Sequence, residues 1–168
     1  MNKKILLVED EAIIAMTTAK MLEKSGFEVI TAHKGEKAVA LAINDPDISL
    51  ILMDIDLGKG MDGTEAAQKI LEENDVPIAF LSSHTEPEIV EKTEGITSYG
   101  YIVKNSGEMV LLASIKMAFR LFEAKQQIKE REEALKNEKE KLREHIEIIE
   151  ERKRIDDQRN KHLLELYD

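Results

Sequence analysis

The sequence has 168 residues, a net charge of −10 and no cysteine, so it is long enough for one ordinary domain and an additional segment. The negative charge argues against non-specific nucleic-acid binding, and the lack of cysteine excludes disulfides, thiolate metal sites and cysteine nucleophiles. The apolar run in the opening MNKKILLVED is too short for a signal peptide or a membrane span, so we expect a cytoplasmic protein.

The composition changes near residue 122, which predicts two regions. Of the 46 residues from 123 to 168, 26 are charged, and every glycine and proline lies at or before Gly107. We therefore expect a globular domain over residues 1–122, followed by a charged helix over residues 123–168.

Strand and helix patterns alternate five times over residues 5–122. Short apolar runs predict five strands, residues 5–8, 27–31, 50–53, 78–81 and 101–103. Four of them read as buried, and the second, which contains a glutamate, reads as an edge strand. Apolar residues three to four apart predict helices around residues 14–22, 38–42, 67–71, 89–90 and 111–122.

This alternation predicts an α/β fold with a doubly wound, flavodoxin-like parallel sheet of five strands in the order 2-1-3-4-5. Helices should cover both faces of the sheet. Gly26 stands where the first helix should end. The fifth helix should continue as a long C-terminal helix, because neither glycine nor proline follows Gly107.

Polar side chains follow the carboxyl ends of four predicted strands, the edge at which open parallel sheets bind ligands. They are Glu9, Asp10, Asp54, Ser82, Ser83 and Lys104. Acids that converge from separate strands repel one another unless a cation lies between them. A hard divalent ion with oxygen ligands, Mg²⁺ first among them, would meet that need. Asp54, directly after a buried run, could by itself be a loop residue, a metal ligand or a nucleophile.

Four motifs occur in order at these strand ends: KILLVEDE at 4–11, LILMDIDLG at 50–58, the Ser82-Ser83 pair and YIVKN at 101–105. Together they resemble the receiver domain of bacterial two-component response regulators, of the CheY-like superfamily, over about residues 3–122. The resemblance implies that Asp54 accepts a phosphoryl group from a histidine kinase, a phosphotransfer protein or a small phosphodonor. It implies a phosphorylated signalling module that promotes only its own phosphotransfer and dephosphorylation, not a turnover enzyme.

The resemblance also implies roles for the residues around Asp54. Asp10 and Asp54 would bind Mg²⁺ directly and Glu9 through water, and the backbone carbonyl of Asp56 would be a further ligand. Ser82 would donate a hydrogen bond to one phosphoryl oxygen, and Lys104 would pair with another. Tyr101 would be the aromatic side chain that changes rotamer on activation. Two plainer interpretations remain open: Asp10 as the cap of the first helix, and Tyr101 as an ordinary core aromatic.

Three departures from the family pattern are visible. Gly58 stands where proline is common, and Gly63 comes one residue late, so we expect a longer and more mobile loop. Asn105 replaces the proline that usually follows the lysine, which puts the cis peptide of relatives in doubt. Asp56 adds a side-chain acid beside the site.

The C-terminal segment carries apolar residues at strict seven-residue intervals, namely Leu121, Ile128, Leu135, Leu142 and Ile149. The second core position is polar in most heptads, so the apolar stripe is narrow. It favours a parallel homodimer in which the helix passes the receiver's state to an output module. The alternative is a single solvated helix stabilised by Glu–Lys pairs. His145 and His162 read as exposed helix residues, and the four histidines show no metal-ligand spacing.

Residues 103–124 resemble receivers that precede PAS-type sensor and kinase modules in hybrid signalling proteins, which implies the amino-terminal part of a longer protein. The tail has neither a helix-turn-helix pattern nor a basic patch, so no direct nucleic-acid contact is expected. Two rival functions remain. Asp54 and Asp56 mimic the paired aspartates of a haloacid dehalogenase-type phosphatase, although that motif normally ends a first strand. The chain could also be a dimerisation adaptor that is not phosphorylated.

Overall fold

The structure, a computed structural model, describes residues 3–83, 91, 93–96 and 99–166. Its strands are β1 Lys4–Val8, β2 Glu28–Ala32, β3 Ile48–Asp54, β4 Ile78–Ser82 and β5 Tyr101–Val103. Its helices are α1 Ala12–Lys24, α2 Gly35–Asn44, α3 Gly63–Glu73 and α4 Glu108–Glu165. The helix predicted around residues 89–90 lies outside the described residues.

The five strands form one parallel sheet in the order β2-β1-β3-β4-β5, so the predicted fold class, strand order and edge position of β2 are confirmed. The expectation that β5 is buried was wrong, because β5 is the other edge strand and Val103 is exposed. The register places Val8 beside Met53, Asp54 beside Leu81, and Ser82 beside Val103. The carboxyl ends of β1, β3, β4 and β5 therefore lie together. The polar residues at those ends lie at a single edge of the sheet.

Side chains of the central strands alternate between two apolar layers, which is why each strand reads as a continuous apolar run. Leu6, Val8, Ile51, Met53 and Phe80 pack with α2 and α3 on one face. The residues between them, such as Leu7 and Leu52, pack on the other face with Leu22 of α1 and Ile115 of α4. The sheet is thus covered on both faces and gives rigid support to its carboxyl edge.

The ends of α1 show which residues begin and stop it. Its N-cap is Glu11, without a side-chain capping bond, so Asp10 does not cap this helix. After the C-cap Ser25, Gly26 has a φ of 90°, the left-handed conformation that glycine adopts without strain. The predicted end of the first helix is therefore confirmed.

The long helix α4 has two parts of different exposure. Ile115, Ala118 and Phe119 are buried against the sheet, whereas every described side chain from residue 127 to residue 163 is exposed. The chain divides into two compact units, residues 1–123 and 124–168. In the described part of the chain, every helix is too short or too polar to cross a membrane.

Candidate functional site

A cavity of about 230 Å³ opens at the carboxyl edge of the sheet, and we call it the acidic pocket. Its lining residues are Asp10, Glu11, Asp54, Asp56, Gly58, Ser83 and Lys104. The residues come from the ends of β1, β3, β4 and β5, because these strands are parallel and end at the same edge.

Lys104 joins the ends of three strands. Its Nζ lies 2.6 Å from Asp54 Oδ2 and 2.8 Å from Glu9 Oε2, and both carboxylates are almost fully buried. Its backbone N–H donates to the Ser82 carbonyl at 2.7 Å, which holds the end of β5 beside β4. Burial alone would lower the pKa of Lys104, but the hydrogen bonds to Asp54 and Glu9 outweigh it, so the pKa is raised and the ammonium stays charged.

The ionised form of Asp54 is unfavourable in this buried environment. Burial, with the negative charge of Glu9 added, raises its pKa from 3.8 to about 6. The Lys104 ammonium and a hydrogen bond from the Asp56 N–H at 3.1 Å lower the pKa, but they offset only part of the burial. The negative charge of the Asp54 carboxylate is therefore only partly compensated, and a further cation would stabilise the ionised form.

The residues present fit a hard divalent cation. One carboxylate oxygen each from Glu9, Asp10 and Asp54 lies within 4.8 Å of the others. Asp10 is exposed while the other two are buried, so the cluster faces solvent on one side. All three donors are carboxylate oxygens, the ligand type that Mg²⁺ prefers, and Lys104 neutralises only part of their charge. The side chain of Asp56 is exposed at the pocket wall.

The two serines at the end of β4 are placed differently. Ser82 is 1% exposed and is the last residue of β4, whereas Ser83 is exposed and lines the acidic pocket. The predicted phosphoryl contact of Ser82 stays a prediction. Tyr101 is half-buried at the start of β5 and packs against the core on the α2 and α3 face, so it lies outside the pocket.

The loop from Asp56 to Asp62, which we expected to be long and mobile, is held at its C-terminal end. Asp62 accepts hydrogen bonds from the N–H groups of Thr64 and Glu65, and Glu65 Oε2 accepts one from the Asp62 N–H, which completes a capping box. Gly63 packs so closely that a methyl group there would collide with the Asp54 carbonyl oxygen. These contacts oppose the mobility that the sequence led us to expect.

Asn105 and Gly58, two other positions that depart from the family pattern, both have left-handed backbone conformations. Asn105 has a φ of 64°, a left-handed conformation that asparagine tolerates better than most residues, and no cis peptide occurs in the described part of the chain. Gly58, with a φ of 69°, lies so near Asp10 that a Cβ atom at residue 58 would be 3.3 Å from Asp10 Oδ2. Glycine at this position thus leaves room for the Asp10 carboxylate.

Sequence reasoning missed Glu11, which lines the acidic pocket, and His33, which contacts Glu9 without lining the pocket. The Glu11 N–H donates to Glu9 Oε1 at 3.3 Å, and both Glu11 and Ser83 line the cavity. His33 Nδ1 lies 2.8 Å from the Glu9 carbonyl oxygen. The adjacency of Glu11 to the predicted site residues Glu9 and Asp10 was a usable signal, whereas His33 follows β2 and carried none.

Residues 5–116 match the response regulator receiver domain family. The transcriptional regulatory protein PdtaR of Mycobacterium tuberculosis is 33% identical over 122 residues, which cover 71% of this chain and 58% of the relative. The chain spans somewhat more than half the length of the first curated relatives that it matches.

Solved structures agree with this match. The N-terminal domain of a response regulator/sensory box/GGDEF three-domain protein from Carboxydothermus hydrogenoformans is 46% identical, with a TM-score of 0.68 over 73% of this chain and 98% of that one. A fusion that carries amino acids 181–211 of the yeast Spc42 trimeric coiled coil is 43% identical, with a TM-score of 0.72 over 82% of this chain and 96% of that one. The chain therefore belongs to the response regulator receiver domain family.

Proposed function

We propose that this receiver domain transmits a signal by accepting a phosphoryl group on Asp54 from a histidine kinase or a phosphotransfer protein. The observation that carries the proposal is the buried Asp54 carboxylate, which is paired with Lys104 at 2.6 Å and has a pKa raised to about 6. An ionised carboxylate that lacks full charge compensation, at the mouth of a cavity, is well placed to react with an electrophilic phosphorus.

The phosphoryl transfer needs no reactant other than Asp54 and the phosphodonor. An Asp54 carboxylate oxygen forms a bond to phosphorus, and the phosphorus–nitrogen bond of a phosphohistidine breaks, with its electron pair returning to the imidazole. Lys104 already touches the carboxylate and neutralises charge that spreads over the phosphoryl oxygens. Mg²⁺, when bound by Glu9, Asp10, Asp54 and the Asp56 carbonyl, would supply the remaining positive charge.

The same residues would convert the covalent change into a conformational one. An acyl phosphate brings close to two negative charges into a site already rich in carboxylates. We expect Ser82 and Lys104 to follow the phosphoryl oxygens, and Tyr101 to change rotamer as β4 and β5 adjust. The result is a shift between two states that the chain populates before phosphorylation.

The second part of the proposal is that α4 carries the signal as a parallel homodimer. Leu121, Ile128, Leu135, Leu142 and Ile149 recur every seven residues and are 45% to 66% exposed in the single chain. A second copy would cover this stripe by coiled-coil packing. The helix also carries the i,i+3 ion pairs Glu151–Arg154 and Asp156–Arg159, which a single solvated helix would have as well. Oligomeric state therefore decides between these two arrangements.

We also propose that the chain acts as the amino-terminal receiver of a longer signalling protein. The Carboxydothermus hydrogenoformans structure is the N-terminal domain of such a three-domain protein, and the chain spans somewhat more than half of its first curated relatives. An output module attached beyond α4 would receive the state of Asp54 through that helix.

One experiment tests the central proposal. The protein is incubated with acetyl phosphate and Mg²⁺, and its intact mass is followed with time. We expect a single added phosphoryl group, which Asp54→Asn abolishes. Sustained release of phosphate from general phosphomonoesters would instead indicate a phosphatase of the haloacid dehalogenase type. Failure of every phosphodonor to give an adduct would leave the dimerisation adaptor.

A further inference from the structure

We propose that Glu36 is a positioning residue: it holds the β3–α3 loop, residues 55–62, against α2 and so limits the access of water to phosphorylated Asp54. The inference rests on the phosphoacceptor role proposed above for Asp54 and deepens it by naming what sets the lifetime of the phosphoryl group. It concerns the loop that the sequence predicts to be one residue longer than the family pattern.

Glu36 connects two segments that are separate in sequence. It lies in the first turn of α2, and its Oε1 accepts a hydrogen bond from the Met61 N–H at 3.1 Å. Its own backbone N–H also favours the charged form of the carboxylate. The backbone N–H groups of Glu36 and Met61, with that of Glu36 first, lower the pKa of Glu36 below its usual 4.5, so the residue is a charged acceptor at neutral pH.

Two glycines let the loop approach α2 this closely. A Cβ atom at Gly60 would come within 2.9 Å of Glu36 Oε1. On the helix side, a Cβ atom at Gly35 would come within 2.7 Å of the Met61 carbonyl oxygen. A side chain at either position would push the loop and helix apart, so the contact depends on backbone shape as well as on the hydrogen bond.

The start of the same loop forms a wall of the acidic pocket. The Asp56 N–H donates to Asp54 Oδ1 at 3.1 Å, and Gly58 lies against the Asp10 carboxylate. Within the described part of the chain, residues 58–61 make one hydrogen bond, from the Met61 N–H to Glu36 Oε1. Loss of that bond should therefore loosen the stretch that borders Asp10 and Asp54.

The lifetime of the phosphorylated protein tests this inference. The full chain is phosphorylated with acetyl phosphate and Mg²⁺, the donor is removed, and loss of the adduct is followed by intact mass. Glu36→Ala should shorten the lifetime roughly three- to tenfold, the effect expected for one exposed hydrogen bond with a charged acceptor. Glu36→Gln keeps an acceptor oxygen and should stay within about twofold of the parent.

Two further variants make the result specific. Glu73→Ala removes the same charge from an exposed position at the end of α3 and should leave the lifetime unchanged. Gly60→Ala crowds the Glu36 carboxylate and also strains the loop backbone, because residue 60 has a φ of 106°. Both effects weaken the contact between the loop and α2, so this variant should shorten the lifetime in the same direction as Glu36→Ala. It also provides a second test if Glu36→Ala does not fold, which circular dichroism would show.

The outcomes separate the two proposals. Absence of any adduct on the parent protein would overturn the phosphoacceptor role of Asp54, and the role of Glu36 with it. A normal adduct whose lifetime is the same in the parent, Glu36→Ala and Gly60→Ala would overturn the role of Glu36 alone. An equal shortening in Glu73→Ala would also overturn it, because the effect would then come from net charge.

Discussion

Ionisation of the Asp54 carboxyl group is unfavourable in the folded protein. This free-energy cost links the stability of the protein to its function through a single residue. Its carboxylate is buried beside Glu9, and Lys104 offsets only part of the unfavourable environment. Without a bound cation, a buried carboxylate of this kind destabilises the folded chain. Each added cation reduces that destabilisation. Selection for folding alone would not place it at the end of β3, which supports a reactive role.

The raised pKa of Asp54 predicts a specific pH dependence of stability. Between about pH 4 and pH 6 the unfolded chain loses the Asp54 proton while the folded chain keeps it, so stability falls as pH rises through this window. A shift of about two pKa units corresponds to about 3 kcal/mol at neutral pH. Asp54→Asn should therefore be more stable than the parent by about 1–3 kcal/mol at pH 7.5, with no gain near pH 3.5.

Urea unfolding of both proteins in EDTA at the two pH values measures this difference. Comparison of parent and variant cancels the titration of the acids that lie far from residue 54, which both chains share. A variant that is less stable than the parent at pH 7.5 would contradict the pKa argument and would show that the Lys104 pair outweighs burial.

The adjacent serines give a second residue-scale prediction. Ser82→Ala should slow phosphorylation by acetyl phosphate about tenfold, because a hydrogen bond to a charged phosphoryl oxygen would be lost. Ser83→Ala, the matched control, should change the rate less than twofold. Ser83 is exposed and lines the pocket while Ser82 is buried. The reverse order of effects would transfer the role to Ser83.

At the scale of elements, the loop between β3 and α3 is fixed mainly by its C-terminal end. Asp62 caps α3 through the N–H groups of Thr64 and Glu65, and it also accepts a hydrogen bond from Thr64 Oγ1 at 2.6 Å. Asp62→Ala should lower the free energy of unfolding by about 1 kcal/mol. Urea denaturation measures the change.

Asp62→Asn is the matched control for that change, since asparagine is also a good cap and should retain most of the stability. If alanine and asparagine destabilise equally, the capping bond is not the cause. If alanine costs nothing, the capping box does not hold this end of the loop, and the anchoring argued for Glu36 would have to act alone.

Elements were predictable from sequence where a single physical signal dominated. Continuous apolar runs located β1, β3 and β4, because both faces of the central sheet are covered. The run at residues 101–103 located β5 as well, but β5 is an edge strand with Val103 exposed, so coverage on both faces does not explain it. Asp54 and Lys104 followed from their positions at the ends of those runs. The contact of Glu36 with the Met61 N–H could not be predicted, since it joins residues 25 apart through a loop whose path depends on three-dimensional packing.

At the scale of the whole molecule, the two units differ in the interactions that stabilise them. Residues 1–123 bury two apolar layers around the sheet, whereas residues 127–163 bury none of their described side chains. A helix of this kind in isolation depends on intrinsic propensity and i,i+3 or i,i+4 pairs, which stabilise it only weakly. Association through the apolar stripe would add the burial that the single chain lacks.

Association through α4 predicts a concentration-dependent dimer in sedimentation, which a chain ending at Phe122 should lose. Leu135→Lys with Leu142→Lys should lose it too, because two charged residues would replace central positions of the stripe. Glu133→Lys with Glu140→Lys places the same side chains two residues earlier in each heptad and should associate like the parent. A full chain that is monomeric at all concentrations would contradict the dimer.

The orientation of the two helices can be read with single cysteines, because the natural chain has none. In a parallel, in-register dimer residue 142 faces its own copy, so Leu142→Cys should form an intermolecular disulfide under mild oxidation. Glu144→Cys, two residues along and on the exposed side of the helix, should stay reduced. A dimer that persists in sedimentation but never cross-links through residue 142 would require an antiparallel or staggered pair. The two receivers would then lie at opposite or offset positions along the coil, so the pair of helices could not present both receivers in the same way to the output module proposed above.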